Sequence, residues 1–197
     1  LSGLAFDFIF KDFEFSTPKK RKDFRQVLRL GALLHDIGHG PLSHTSEEVM
    51  PPLDQLKIKV YQGRDLNRKA NHEDYTIKSV VDSSFAEAFK IAEEEFGVNR
   101  NNIAELVVGQ TSDPDYFTIN GVNYFPILHQ LVSSEMDCDR MDYLLRDSYF
   151  CGVSYGNFDL DWIIDNLEIC TIDSKAYLGI SERAISTFDD FLLSSNP

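Results

Sequence analysis

The densest cluster of metal-ligating and proton-carrying groups in the chain lies in ten consecutive residues: His35-Asp36-Ile37-Gly38-His39-Gly40-Pro41-Leu42-Ser43-His44. Together with His72 they contain four of the five histidines in the sequence. His35 and His39 stand four residues apart, a spacing that puts two imidazoles near one face of a helix. Asp36 reaches the same ion only where the helix is ending and the backbone turns, and Gly38 and Gly40 give the chain that freedom. Imidazole and carboxylate donors suit Mn, Fe, Ni, Zn or Mg, and the lack of nearby thiolates argues against a structural zinc site. A lone His-Asp pair at a helix end is explained by its interaction with the terminal carbonyls. Three histidines and an aspartate in so short a run are not.

A second run, Ser134-Glu135-Met136-Asp137-Cys138-Asp139-Arg140-Met141-Asp142-Tyr143-Leu144-Leu145-Arg146-Asp147, puts Asp139, Asp142, Tyr143, Arg146 and Asp147 on one helix face, with Met141, Leu144 and Leu145 on a packing face. The first run supplies too few ligands to hold an ion, so an aspartate delivered from a distant helix would complete the set.

The elements that must carry these residues read as mostly helical. Phe24, Val27, Leu28, Gly31 and Leu34 fall at helical spacing between Arg21 and Leu34, and Gly38, Gly40 and Pro41 end that helix. A short helix is expected over Thr45 to Met50. Longer ones are expected over about 72–95, 100–110 and 126–149, then another from Phe158 to Leu167. Residues 51–71 read as a loop or insertion with a basic excess, Lys57, Lys59, Arg64, Arg68 and Lys69. A small hairpin is expected around Asp173-Ser174-Lys175, and Ser181 would cap a last helix.

Composition bounds the function. With 32 acidic against 19 basic residues the formal net charge is -13, so a nonspecific nucleic-acid binder, which needs a basic face, is not expected. No apolar run approaches the roughly 20 residues of a membrane span. Three cysteines make no disulfide framework, and a reducing, cytoplasmic setting is the default.

The Leu33-Leu34-His35-Asp36-Ile37-Gly38-His39-Gly40-Pro41 run and the later Asp139-Arg140-Met141-Asp142-Tyr143 resemble the HD-domain metal-dependent phosphohydrolases, most closely their deoxynucleoside triphosphate triphosphohydrolase branch. The resemblance implies a mostly α fold: an HD-domain helical bundle, with the small β-hairpin near the C-terminal end. It implies one domain over residues 1–197, truncated at both ends, with the family's first metal-ligating histidine lying upstream of Leu1. It assigns His35, Asp36 and Asp139 to a divalent ion. It gives catalytic roles to His39, His72, Glu47 and Glu73, and substrate contacts to His44, Arg140, Tyr143 and Asp147, the last two beside the sugar. The reaction implied is hydrolysis of a dNTP to deoxynucleoside and triphosphate, by a protein that assembles as a homo-oligomer. The alternatives are another HD nucleotide phosphatase or phosphodiesterase, and a regulatory nucleotide-binding domain without turnover.

Overall fold

The computed structural model describes residues 1–61 and 66–195. Packing divides the chain into two compact units, Leu1–Lys20 with Asp113–Pro197, and Arg21–Ser112. The elements are mostly helical with one small sheet, as the sequence suggests.

In the first unit, α1 (Ser2–Ile9) packs on strand β3 (Leu167–Ile172) and on the short helix α8 (Leu160–Ile164). The aromatic residues of the N-terminal stretch give this unit its core. Phe6 and Phe10 are wholly buried with ring centroids 4.6 Å apart, and Phe13 meets Phe15 at 4.7 Å and Tyr124 at 5.0 Å. Burial of each such ring is worth about 2–3 kcal/mol. Strand β3 pairs antiparallel with β4 (Lys175–Ile180) through a two-residue turn, Asp173-Ser174, with φ of 48° and 58°. Two left-handed residues in succession match the strands' twist, so the expected hairpin forms. Strands β1 (Thr118–Ile119) and β2 (Val122–Asn123) extend the sheet in the order β1-β2-β4-β3, with β2 parallel to β4. Helix α6 (Phe125–Gln130) packs on β4, and α7 (Cys138–Cys151) on α9 (Ile185–Ser195).

The second unit is built around α3 (His72–Asp82), which packs on α4 (Ala86–Phe96) and α5 (Arg100–Val108). Phe24, Leu28, Ile77, Ile103 and Leu106 are wholly buried. Helix α2, Pro18–Leu34, presents Phe24, Val27, Leu28, Gly31 and Leu34 to the interior, the stripe read from the sequence.

Three readings need correction. The expected helix over 72–95 is two helices, because the backbone leaves helical geometry at Ser83, whose hydroxyl accepts the Phe85 N–H. The expected helix over 126–149 is also two, because Asp137 caps the second by accepting the Arg140 N–H at 2.8 Å and the Ser134 N–H at 3.2 Å. The short helix near 45–50 is a 3-10 turn, Ser43–Val49. Within the basic stretch 51–71, 3-10 turns span Leu53–Leu56 and Lys59–Tyr61, and residues 62–65, Arg64 among them, lie outside the described residues. Among the described residues no helix is long and apolar enough to cross a membrane.

Candidate active site

Helix α2 ends at Leu34, and the turn that follows is closed by Ile37 N–H to the Leu34 carbonyl, 3.1 Å, and His39 N–H to the Asp36 carbonyl, 3.1 Å. The helix end leaves carbonyls to satisfy. His35 Nδ1–H donates to the Ala32 carbonyl at 3.0 Å, and the Thr76 hydroxyl donates to the His35 carbonyl at 2.7 Å. The Gly38 N–H in turn donates to Thr76 Oγ1 at 2.9 Å. Gly38 is required for proximity and not, as its sequence context suggests, for an unusual backbone angle. A Cβ at that position would run into the His72 carbonyl and the Thr76 amide nitrogen.

Helix α3 brings the next imidazole at its first residue, His72. Its start is fixed by a reciprocal cap. Asn71 Oδ1 accepts the Asp74 N–H at 3.1 Å, and Asp74 Oδ2 accepts the Asn71 N–H at 2.8 Å. Asp74 is wholly buried and fully engaged, with both nitrogens of the Arg68 fork at 2.7 Å and the Tyr61 hydroxyl at 2.8 Å. Burial first, then the bond to Asp74, raises the Tyr61 phenol well above its ordinary range. Arg68, read from the sequence as part of a basic loop or insertion, is therefore an anchor of α3.

His39, His44 and His72 then assemble. The rings of His39 and His72 stack at 3.9 Å and 11°, and His44 meets both edge-on at 4.9 and 5.1 Å. Glu47, in the turn after His44, accepts from His72 Nδ1 at 2.5 Å and lies 3.3 Å from His44 Nδ1. The bond from His72 lowers the Glu47 carboxyl below its usual range. Burial, then the neighbouring His72, holds the His39 imidazole below its ordinary value. The donor atoms of His39, His44, Glu47 and His72 all lie within 4.8 Å of one another.

Asp36 is the centre of this array. Its Oδ1 stands 3.3 Å from His35 Nε2, 3.5 Å from His39 Nε2 and 3.8 Å from His72 Nε2. A carbonyl or carboxylate oxygen only accepts, so His35 and His72 each carry a proton on Nδ1. In the neutral rings that leaves the Nε2 lone pairs facing a carboxylate oxygen. A cation among these donors satisfies nitrogens and oxygen together, and the nitrogen and oxygen donor types suit Mn, Fe, Ni or Zn. The residues present therefore fit a divalent metal ion. Glu47, tied to His72, serves better to orient that ring than as a ligand.

The remaining predicted residues are placed as follows. Glu73 lines a cavity with Leu53, Tyr61, Arg68, Val108 and Gln110. Asp139 lies exposed in the first turn of α7. Arg140, on the same helix, pairs with Glu135 at 2.5 Å. Tyr143 is partly exposed, its phenol raised chiefly by burial, and Asp147 is exposed. Asp142 and Arg146 pair with each other at 2.5 Å. Sequence reasoning missed Thr76 and the Arg68–Asp74–Tyr61 cluster. The Asn71-x-x-Asp74 spacing was a legible cap signal, whereas the Thr76 contact joins residues 41 apart and leaves no local pattern.

The helical fold and the histidine–aspartate turn define a class, and the match agrees: the model of the HD domain covers residues 14–145, so the chain belongs to the HD-domain family. Similar chains include an uncharacterised protein of Mycoplasma genitalium, 29% identical over 169 residues, covering 86% of this chain and 35% of that protein. The deoxynucleoside triphosphate triphosphohydrolase SAMHD1 of Homo sapiens is 23% identical over 192 residues, covering 91% of this chain and 30% of that protein. The chain thus spans about a third of the length of these relatives. A crystal structure of a phosphohydrolase from Bacteroides thetaiotaomicron shares the fold, with a TM-score of 0.58 at 24% identity over 98% of this chain and 37% of that one.

Proposed function

We propose that this chain carries the active site of a metal-dependent phosphohydrolase acting on nucleotides, its reaction being hydrolysis of a dNTP to deoxynucleoside and triphosphate. The observation that carries the reading is the convergence of three imidazole Nε2 atoms on Asp36 Oδ1, beside a His72–Glu47 pair. His35 and Asp36 hold the divalent ion, with Asp139 as the carboxylate that the family motif assigns to it. When bound, such an ion neutralises phosphate charge and lowers the pKa of bound water.

The remaining chemistry belongs to the side chains. Water adds to the α-phosphorus, the bond from phosphorus to the 5′ oxygen breaks, and that oxygen leaves with a proton. His72, its Nδ1 fixed by Glu47, presents Nε2 as the atom that takes or gives a proton, and His39 stacks against it. His44 and Arg140 supply donors to phosphate oxygens, and Tyr143 and Asp147 contact the sugar. The catalytic role that the resemblance gives Glu73 is part of the same proposal. Homo-oligomeric assembly and a cytoplasmic location belong to the same proposal. Support for the dNTP as substrate comes from the Asp139-to-Asp147 motif and from the distant likeness to SAMHD1.

The test is a screen of the full-length protein against the four dNTPs with Mn and Mg, resolving inorganic triphosphate from orthophosphate. Triphosphate release is expected. Orthophosphate alone would move the protein to the nucleotide phosphatases, and no product from any nucleotide would overturn the enzymatic reading.

A further inference from the structure

We propose that Thr76 is a positioning residue: its hydroxyl rivets the His35–Gly38 turn onto α3 and so sets the spacing between Asp36 and the imidazoles of His39 and His72. For its effect on turnover the proposal rests on the phosphohydrolase reading above.

Two segments distant in sequence must meet for the site to exist. One is the end of α2 with its turn, and the other is the first turn of α3. Thr76 lies four residues after His72, on the same face of α3, and is wholly buried. Its single hydroxyl makes two bonds, and both go to backbone groups of the histidine–aspartate turn. It donates to the His35 carbonyl at 2.7 Å and accepts the Gly38 N–H at 2.9 Å. The His35 carbonyl stands just beyond the last residue of α2, where regular helical bonding ends. Thr76 therefore caps α2 from another helix and fixes the turn's orientation in the same act.

Gly38 makes this approach sterically feasible, since the backbone there runs directly against the His72 carbonyl and the Thr76 nitrogen. With the turn held at that depth, Asp36 Oδ1 comes within 3.8 Å of His72 Nε2, and the His39 ring lies flat on His72 at 3.9 Å. Glu47 holds His72 from the other side of the ring, through Nδ1. Loss of the hydroxyl removes the acceptor of the Gly38 N–H and a donor to the His35 carbonyl, and the turn regains freedom to shift.

The experiment compares Thr76→Val, which keeps the shape and removes the hydroxyl, with Thr76→Ser, which keeps the hydroxyl. The full-length, metal-free protein is examined by imidazole-detected NMR at one fixed pH, where ring stacking shifts the carbon-bound protons of His39 and His72. Expected in Thr76→Val is movement of those resonances toward unstacked values, with kcat on the hydrolysed nucleotide lowered about 10–100-fold and KM nearly unchanged. Thr76→Ser should restore both. Folded Thr76→Val with wild-type imidazole resonances overturns the proposal. Should that variant fail to fold, the Gly38 amide of the wild-type protein decides: slow hydrogen exchange is expected, and exchange as fast as in an open turn overturns it. If the wild-type protein hydrolyses no nucleotide, the functional reading falls, yet the spectra still decide the role of Thr76.

Discussion

Asp36 keeps 49% of its side chain in solvent while one of its oxygens faces three ring nitrogens. Its neighbour His35 has one nitrogen committed to the Ala32 carbonyl, so only the other is available to a metal. Replacement of either by Ala should abolish metal retention in the full-length protein. Elemental analysis after dialysis measures this, and an unchanged metal-to-protein ratio would refute the ligand assignment. Glu47 acts differently. Glu47→Gln preserves an acceptor for His72 Nδ1–H but removes the charge that favours a proton-accepting ring. It should lower kcat about 10–100-fold, with metal content reduced far less than in Asp36→Ala. At this scale the sequence was informative because the histidine run is local: residues 35 to 44 announce themselves by type and spacing alone. The Glu47–His72 bond spans 25 residues, and its geometry required the fold.

Elements position these groups through polar contacts that periodicity does not encode. The apolar stripe of α2 was readable, and so was the β3–β4 hairpin, whose turn has to accept two left-handed residues. The breaks at Ser83 and before Cys138 were not readable. A capping serine or aspartate inside a helical pattern looks like any polar surface residue until its side chain is seen to accept backbone N–H groups. The Arg68–Asp74–Tyr61 cluster anchors α3 in the same hidden way. Tyr61 gives it a pH signature. Its folded-state ionisation lies above the unfolded value near 10. The stabilisation is therefore complete below about pH 10 and is lost as pH rises from there toward the folded value. Tyr61→Phe should cost about 1 kcal/mol at neutral pH, and its disadvantage should shrink between about pH 10 and 11 as the wild-type tyrosine is drawn toward ionisation. Urea midpoints across that range measure the difference, and a constant gap would refute the assignment.

Over the whole molecule, the proposed ligand set is non-local: residues 35 and 36 come from one region of the sequence and 139 from another. Two acidic residues of α7 separate ligand from bystander. Asp139→Ala should lower metal content as Asp36→Ala does. Asp142→Ala, which only frees Arg146 from its ion pair, should leave metal content near wild type. Equal metal content in both variants would remove Asp139 from the set. The formal charge of -13 gives the rest of the surface an electrostatic reason to repel polyanions, so a compact, metal-neutralised anion is the better match to this chain. The exposure of Asp36 has a practical consequence as well. Asp36 has about half of its side chain in solvent, so one side of the proposed ligand set faces water and is open to exchange of the ion. Occupancy will then follow supply and the Irving–Williams order. Protein eluted from a nickel resin is expected to carry nickel, whereas an untagged preparation from manganese-rich medium is expected to carry manganese. Purification history thus belongs among the controls of any assay.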